Sequence, residues 1–260
     1  MSIKLVKRDR LDLTIPEFTC DHGFNPALND VPMLSHLNGY TFNIICGRPG
    51  SGKTSLLVSM LTGKGKNKVY RKCFDNVIVC MPTNSRQSLK KNIFEHHPQN
   101  KLFDELNLES INKIYEMLED SVSEDPKKNT LLILDDVGAS LKRKEILHKL
   151  KTILFNRRHL RCHVVCLIQS YISLPLEIRK LSSNVLMFKP SKVEAENFFR
   201  ELFETKHDMM DKIIKYSYKK LGDYIFLNVD SQKFYKDFDE LVIETERSAE
   251  RDGEESSEET

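Results

Sequence analysis

The sequence predicts an α/β fold: a mostly parallel, five-stranded sheet flanked by helices, followed by a C-terminal hairpin. Three observations predict it. Apolar runs of five or six residues recur at Thr41–Cys46, Asn76–Met81, Thr130–Leu134, His163–Ile168 and Asn184–Phe188. Stretches with helical spacing separate several of them, which implies crossover connections and a parallel sheet. The runs are continuously apolar rather than alternating, as expected of strands covered on both faces.

In chain order, residues 1–40 read as an N-terminal segment packed on the core. Leu11–Ile15 alternates like a strand, and Pro16, Pro26 and Pro32 break any longer element. Residues 41–190 form the core. The first strand runs into Gly47-Arg48-Pro49-Gly50-Ser51-Gly52-Lys53-Thr54, and a helix is expected from Lys53 to Leu61. Gly63-Lys64-Gly65-Lys66 ends that helix as a basic loop. After the second strand comes the helical pattern Ile111, Ile114, Tyr115, Leu118, and then a turn at Ser123–Lys128. After the third strand, Ile146, Leu147, Leu150, Ile153 and Leu154 mark one face of a basic helix over Lys142–Phe155. Residues 191–243 form a helical and hairpin extension, helical from Val193 to Lys215. Residues 244–260 read as an acidic disordered tail.

The segment Gly47–Thr54 matches the phosphate-loop pattern G-x-x-x-x-G-K-[ST] at every fixed position. It sits between an expected strand and an expected helix N-terminus, where the mechanism needs it. Glycines let successive backbone N–H groups point at a phosphate, and the helix end adds partial positive charge. Gly47, Arg48, Pro49, Gly50, Ser51, Gly52, Lys53, Thr54 and Ser55 are therefore the candidate nucleotide-binding residues. Lys53 would reach the β- and γ-phosphates, and Thr54 would place its hydroxyl on Mg²⁺.

A phosphate loop alone says only nucleotide. The third strand adds chemistry by ending in Asp135-Asp136. Asp135 is placed to hold Mg²⁺, and Asp136 to polarise an attacking water near the γ-phosphate. Gln169 ends the fourth strand. If that strand lies between the first and the third, its amide faces the γ-phosphate, since ligands bind beyond the carboxyl ends of such strands. Arg158 and Arg179 are the candidates for a guanidinium that neutralises charge during phosphoryl transfer, a group often supplied by a neighbouring subunit.

The assembly GRPGSGKT, LLILDDV, NRRHL and VVCLIQSY, with LPLEIRKLSSNVLMF following, resembles the DNA-packaging ATPases of large double-stranded DNA viruses. These are the poxvirus-type members of the FtsK/HerA superfamily, and the resemblance covers about residues 40–190. It implies a RecA-like (ASCE) P-loop NTPase that hydrolyses ATP with Mg²⁺ and drives double-stranded DNA into a preformed capsid. It also implies a homo-oligomeric ring, capsid proteins as partners, and a place in host cytoplasm at viral assembly sites or with the virion. FtsK and HerA relatives commonly carry Glu where this chain carries Asp136. Two other classes fit the phosphate loop: a small-molecule or nucleoside kinase, and a nucleotide-gated capsid interaction protein with little turnover.

Charge and cysteines bound the remaining possibilities. The chain carries a formal +2 over 260 residues, yet Glu244–Thr260 holds eight acidic and two basic residues, net −6. The rest therefore carries +8, and a basic body suits a polyanionic partner. Lys142, Arg143, Lys144, Lys149, Lys151, Arg157, Arg158 and Arg161, with the Gly63–Lys66 loop, are the candidate DNA-backbone contacts; such contacts carry no sequence information, and a packaging motor needs none. No run approaches the ~18 apolar residues of a membrane span. Six cysteines without a C-x-x-C suggest reduced thiols. His159, Cys162, His163 and Cys166 lie close in sequence, and core packing is favoured for them over zinc.

Overall fold

The computed structural model describes residues 40–64, 70–87, 92–203 and 207–242. The N-terminal segment over 1–39, the Gly65-Lys66 end of the basic loop and the acidic tail lie outside these residues.

All five expected strands form: β1 (Phe42–Cys46), β2 (Asn76–Cys80), β4 (Thr130–Asp135), β5 (Cys162–Ile168) and β6 (Asn184–Phe188). Four further strands join them. A two-residue β3 (Leu102–Phe103) pairs parallel to β2 on one edge. On the other side, β7 (Tyr224–Asn228), β8 (Lys233–Lys236) and β9 (Asp239–Leu241) continue the sheet antiparallel. The result is one nine-stranded sheet in the order β3-β2-β4-β5-β1-β6-β7-β8-β9. The five-stranded expectation thus undercounts. Two or three residues are too short a run to show periodicity, and the hairpin is hydrogen-bonded into the sheet instead of standing apart.

The strands are apolar on both faces for a physical reason. In β4, Leu132 and Leu134 enter one core while Leu131 and Ile133 enter the other; Val164 and Val165 of β5 divide likewise. Helix α1 (Lys53–Thr62) covers one face through Leu57 and Met60. Helices α3 (Leu108–Glu124), α4 (Lys144–Asn156), α6 (Lys192–Leu202) and α7 (His207–Ser217) cover the other. Each fully buried Leu, Ile or Phe contributes about 1.5–3 kcal/mol of transfer free energy. The helical stretch expected over Val193–Lys215 is two helices. Asn107 caps α3 through a reciprocal pair with Ser110, and α3 absorbs Ser123 and Glu124 into its last turn. Short α-helices α2 (Thr83–Gln87) and α5 (Leu176–Arg179) and 3-10 turns at Gln99–Lys101, Ser140–Lys142 and Tyr171–Ser173 join these elements.

A buried amide ladder fixes how the antiparallel strands join the parallel ones. The Nδ2 of Asn228 donates to Asn184 Oδ1 (3.0 Å), Asn184 Nδ2 donates to Asn43 Oδ1 (2.7 Å), and Asn43 Nδ2 donates to Thr41 Oγ1 (3.0 Å). These residues sit on β7, β6, β1 and the residue before β1. Slipping one register would leave buried amides unpaired, at a cost of about 1–3 kcal/mol each.

The order β4-β5-β1-β6 places the strand that ends in Gln169 between the strands that end in the phosphate loop and in Asp135. Their carboxyl ends are also level. Cys46 pairs with Ile168 and Asp135 with Leu167. Backbone bonds then carry the alignment past the strand ends: Gly47 N donates to Ile168 O (3.1 Å) and Asp136 N to Leu167 O (3.2 Å).

Candidate nucleotide site

The loop between β1 and α1 is shaped by its glycines at two points. Gly52, the residue before α1, holds φ 105°, a left-handed conformation that glycine adopts without steric cost. Gly47 is needed for space: a Cβ there would lie 2.6 Å from Ser51 Oγ and 2.7 Å from Phe188 Cβ. The loop is thus pressed against the end of β6. Lys53, in the first turn of α1, donates from Nζ to the carbonyls of Gly47 (2.6 Å) and Arg48 (3.2 Å). It spans the mouth of its own loop.

Asp135 is the last residue of β4 and is 7% exposed. Burial pushes its pKa up to about 6, with the nearby Lys53 ammonium opposing and Asp136 reinforcing the shift. Burial likewise lowers the Lys53 pKa, and Asp135 opposes that shift. Burial thus works against the charged form of both groups, and each partly offsets the penalty on the other. A hydroxyl and a carboxylate are hard oxygen donors, so Thr54 and Asp135 fit Mg²⁺ both in chemistry and in charge.

Asp136 leaves the strand at φ 56°, a left-handed conformation costing about 1–2 kcal/mol that Asp tolerates better than most residues. The kink turns its exposed carboxylate towards β5. Gln169 Nε2 donates to Asp136 Oδ1 at 3.1 Å. Asp135, Asp136 and Gln169 thus stand together at the carboxyl end of the sheet beside the phosphate loop.

The loop after Gln169 is anchored from below. Tyr171 N donates to Glu194 Oε1 (3.1 Å), and Glu194 also closes a capping box with Ser191 at the start of α6. Tyr171 Oη donates to Glu201 Oε2 (3.2 Å). Arg179 grips the same Glu201 twice, Nε to Oε2 at 2.8 Å and Nη2 to Oε1 at 2.6 Å, with its guanidinium 5.0 Å from the Tyr171 ring. The expectation for Arg179 is therefore corrected. It is 8% exposed and committed to an internal carboxylate, which leaves no guanidinium edge for a phosphate. Burial opposes its charge, and Glu201 more than offsets that.

Arg158 is exposed and lies between α4 and β5, at the amino end of the sheet. The phosphate loop is at the carboxyl end. Arg158 therefore does not stand beside the phosphate loop of its own chain.

The expected basic stripe divides in two. Lys142, Arg143 and Lys144 are exposed at the start of α4. Apart from the exposed Arg158, the others have internal work. Lys149 sits over the Tyr115 ring (4.0 Å), Lys151 pairs with Glu177 (2.7 Å), Arg157 donates to the carbonyls of Tyr40 and Leu154 (2.7 Å each), and Arg161 bonds Asn129 (3.3 Å). Cys162, His163 and Cys166 are buried in β5, and no metal-binding group of three His, Cys, Asp or Glu occurs among the described residues.

Sequence reasoning missed the Glu194 and Glu201 supports, because glutamates on a helix read as solvated charge. It also missed the turn Lys219–Gly222, which lines a cavity with the phosphate loop. Its Gly222-Asp223 reads only as the start of a hairpin.

A family model described as Poxvirus A32 protein matches residues 34–247. No curated protein matches the chain in sequence. Among solved structures, the chain is similar to the genome packaging NTPase B204 from Sulfolobus turreted icosahedral virus 2 in complex with AMP. The TM-score is 0.57 at 15% identity, covering 76% of this chain and 96% of that one. B204, the DNA-packaging ATPase from Sulfolobus Turreted Icosahedral Virus, gives a TM-score of 0.56 at 16% identity over 78% of this chain and 98% of that one. The cytoplasmic domain of the Thermomonospora curvata Type VII secretion ATPase EccC gives 0.51 at 14% identity, covering 78% of this chain and 24% of that one. At these identities the likeness is one of fold.

Proposed function

The chain belongs to the poxvirus A32 protein family; we propose that it is a DNA-packaging ATPase that binds ATP on the Gly47–Ser55 loop and works as a homo-oligomeric ring that moves double-stranded DNA into a capsid. The observation that carries the site is the levelled end of β1, β5 and β4, which brings Lys53, Gln169, Asp135 and Asp136 to one edge. The nucleotide complexes of B204, with AMP and with ATP-gammaS, support the same use of this fold.

Each residue has a distinct task. The backbone N–H groups of the loop and the start of α1 cradle phosphate oxygens. Lys53 exchanges its two carbonyl partners for β- and γ-phosphate oxygens. Thr54 and Asp135 would hold Mg²⁺, which would supply positive charge to the phosphates. Asp136 orients and polarises the attacking water. Gln169, already bonded to Asp136, reads whether a γ-phosphate is present and transmits the answer to its own loop. Phosphoryl transfer needs placement and charge stabilisation more than covalent help, and this set supplies both.

Arg158 completes the site across a subunit boundary. Phe155, one turn earlier on α4, is 63% exposed and suits a subunit contact. Lys142, Arg143 and Lys144 contact the DNA backbone. Three consecutive cations at a helix start oppose the helix dipole, by about 0.3–1 kcal/mol each, and a phosphate backbone relieves that opposition. We place the assembly at cytoplasmic sites of virion formation. No described helix is long and apolar enough to cross a membrane.

The test is ATP hydrolysis with and without duplex DNA. Stimulation by DNA, abolished by Lys53→Ala and by Asp135→Ala, supports the reading. Hydrolysis indifferent to DNA at every salt concentration contradicts it. Phosphorylated product from added nucleosides would favour the kinase reading instead.

A further inference from the structure

Two stretches of chain flank the phosphate loop. β1 lies between β5 and β6, so the chain leaving β5 through Gln169 and the chain leaving β6 after Phe188 emerge on either side of Gly47. The β6 side is in contact with the loop: a Cβ on Gly47 would lie 2.7 Å from Phe188 Cβ. The β5 side carries Gln169 and its bond to Asp136.

One carboxylate joins the two sides. Glu194 stands in the first turn of α6. Its Oε1 accepts a hydrogen bond from Tyr171 N at 3.1 Å, in the chain just past Gln169. Its Oε2 accepts from Ser191 N (3.1 Å) and Ser191 Oγ (2.9 Å), in the chain just past Phe188. The Ser170 side chain adds a further hydrogen bond. Burial alone would raise the Glu194 pKa; the bonds from Ser170, Ser191 and Tyr171 more than offset it and hold the carboxyl below its usual range. The same charge is felt at the end of β1. After burial, Glu194 is the strongest influence pushing up the thiol of Cys46, the residue before Gly47.

Gln169 has little freedom between these holds. β5 fixes it on one side. On the other, only Ser170, extended at φ −140° and ψ 131°, separates it from Tyr171. Tyr171 is buried, and its hydroxyl is tied to Glu201. That tie acts at the far end of a ring. The Glu194 tie acts on the backbone beside Gln169, which sets the direction in which the amide leaves the chain. A capping box uses only the Ser191 contacts. The bonds to Ser170 and Tyr171 are additional to it.

We propose that Glu194 is a positioning residue for hydrolysis: it clamps the chain on both sides of the phosphate loop and so holds the Gln169 amide at Asp136. The inference rests on the reading of Gln169 and Asp136 as the groups that face the γ-phosphate.

The test is steady-state ATP hydrolysis by the full chain with duplex DNA. It compares wild type, Glu194→Gln, Ser170→Ala, Ser191→Ala, Gln169→Ala and the double variant of Glu194→Gln with Gln169→Ala. Gln serves in a capping box as Glu does, so Glu194→Gln keeps the cap through its one carbonyl oxygen and turns an NH₂ towards the Tyr171 N–H. Misplacing a reacting group by about 1 Å costs up to about 10²-fold in rate. Glu194→Gln is expected to lower kcat about tenfold or more, and Ser170→Ala less, with the ATP KM within about twofold of wild type. In the Gln169→Ala background the same Glu194 substitution adds less than about twofold, because both changes act through one group. Ser191→Ala keeps the carboxylate and its bond to Tyr171. It is expected to lower the melting temperature and to cost less in kcat than Glu194→Gln does.

Wild-type kcat in both Glu194→Gln and Ser170→Ala, with Gln169→Ala slow, overturns the proposal and leaves the Gln169 reading standing. A Glu194→Gln loss that repeats in full in the Gln169→Ala background overturns it too, as does an equal kcat loss in Ser191→Ala. Wild-type kcat in Gln169→Ala, or a wild-type protein that hydrolyses no ATP, overturns the Gln169 reading and this inference with it.

Discussion

Gln169 Nε2 and Asp136 Oδ1 stand 3.1 Å apart, bridging the ends of two neighbouring parallel strands. An amide from one strand thus holds a carboxylate from the other. The bond orients Asp136 without neutralising it. A positioned base contributes typically 10²–10⁴-fold to a rate. Asp136→Asn keeps the residue's tolerance of a positive φ and removes only the base. It is expected to lower kcat by about 10²-fold or more with ATP binding retained. Gln169→Ala is expected to lower kcat and to weaken DNA stimulation, since the loop no longer senses the γ-phosphate. Rapid-quench single-turnover assays measure both. Unchanged single-turnover rates would remove these two residues from the chemistry.

The two arginines are expected to separate cleanly. Arg179 and Glu201 form a nearly buried ion pair, with side chains 9% and 10% exposed. Removing one partner of such a pair strands the other charge and costs about 3–5 kcal/mol. Arg179→Ala is therefore expected to lower the melting temperature by several degrees. Arg158→Ala is expected to lower the melting temperature less than Arg179→Ala does while reducing kcat by as much as ~10³-fold, the scale of an arginine finger. Mixing Arg158→Ala with Lys53→Ala subunits then restores activity at mixed interfaces. Failure of mixing to restore any activity would count against action in trans.

On the proposed reading, Lys142, Arg143 and Lys144 act on DNA through charge alone. Their triple replacement by Ala is expected to weaken duplex binding equally for all sequences. It would also reduce the salt dependence of log K by up to about 0.9 for each lost phosphate contact. Fluorescence anisotropy over a salt series checks this. Replacing Lys149 and Lys151 should have a much smaller effect, because those side chains are engaged with Tyr115 and Glu177.

His163 makes one contribution to the pH dependence of stability, opposite in sign to that of Asp135. It is fully buried in β5, and its Nδ1 accepts a hydrogen bond from Thr41 N at 3.2 Å. Burial, aided by the Arg157 charge, depresses its pKa to about 3. The unfolded chain takes up this proton near pH 6.5 and the folded chain does not, so the unfolded state binds more protons between those values. Stability from this group is complete above about pH 6.5 and is lost as pH falls, by up to about 1.4 kcal/mol per pH unit. The difference in urea-denaturation stability between wild type and His163→Gln at pH 7.5, 6.0 and 5.0 should show that decline, since Asp135, with its pKa raised to about 6, adds a slope of opposite sign to both proteins.

Much of the fold was legible because parallel strands buried on both faces announce themselves as continuous apolar runs. The phosphate loop and Asp135-Asp136 were legible because fixed spacing carries their chemistry. The strand order that makes Gln169 useful is a tertiary fact, and only the pairing of β5 with both β4 and β1 supplies it. Arg179 misleads for a related reason. Its partner Glu201 lies 22 residues away on α6, and sequence spacing does not reveal which guanidinium is already occupied. β3 and β9 are too short for a period to register, and the antiparallel joining of β6 to β7 depends on asparagines that read as strand breakers in isolation.

The central claim is that ATP hydrolysis at this site moves duplex DNA. The direct measurement is displacement of a triplex-forming third strand from duplex DNA, timed against ATP hydrolysis by the assembled protein. The account predicts displacement that requires hydrolysable ATP and disappears in Lys53→Ala and Asp136→Asn. ATP turnover at full DNA-stimulated rate with the third strand left in place would contradict it.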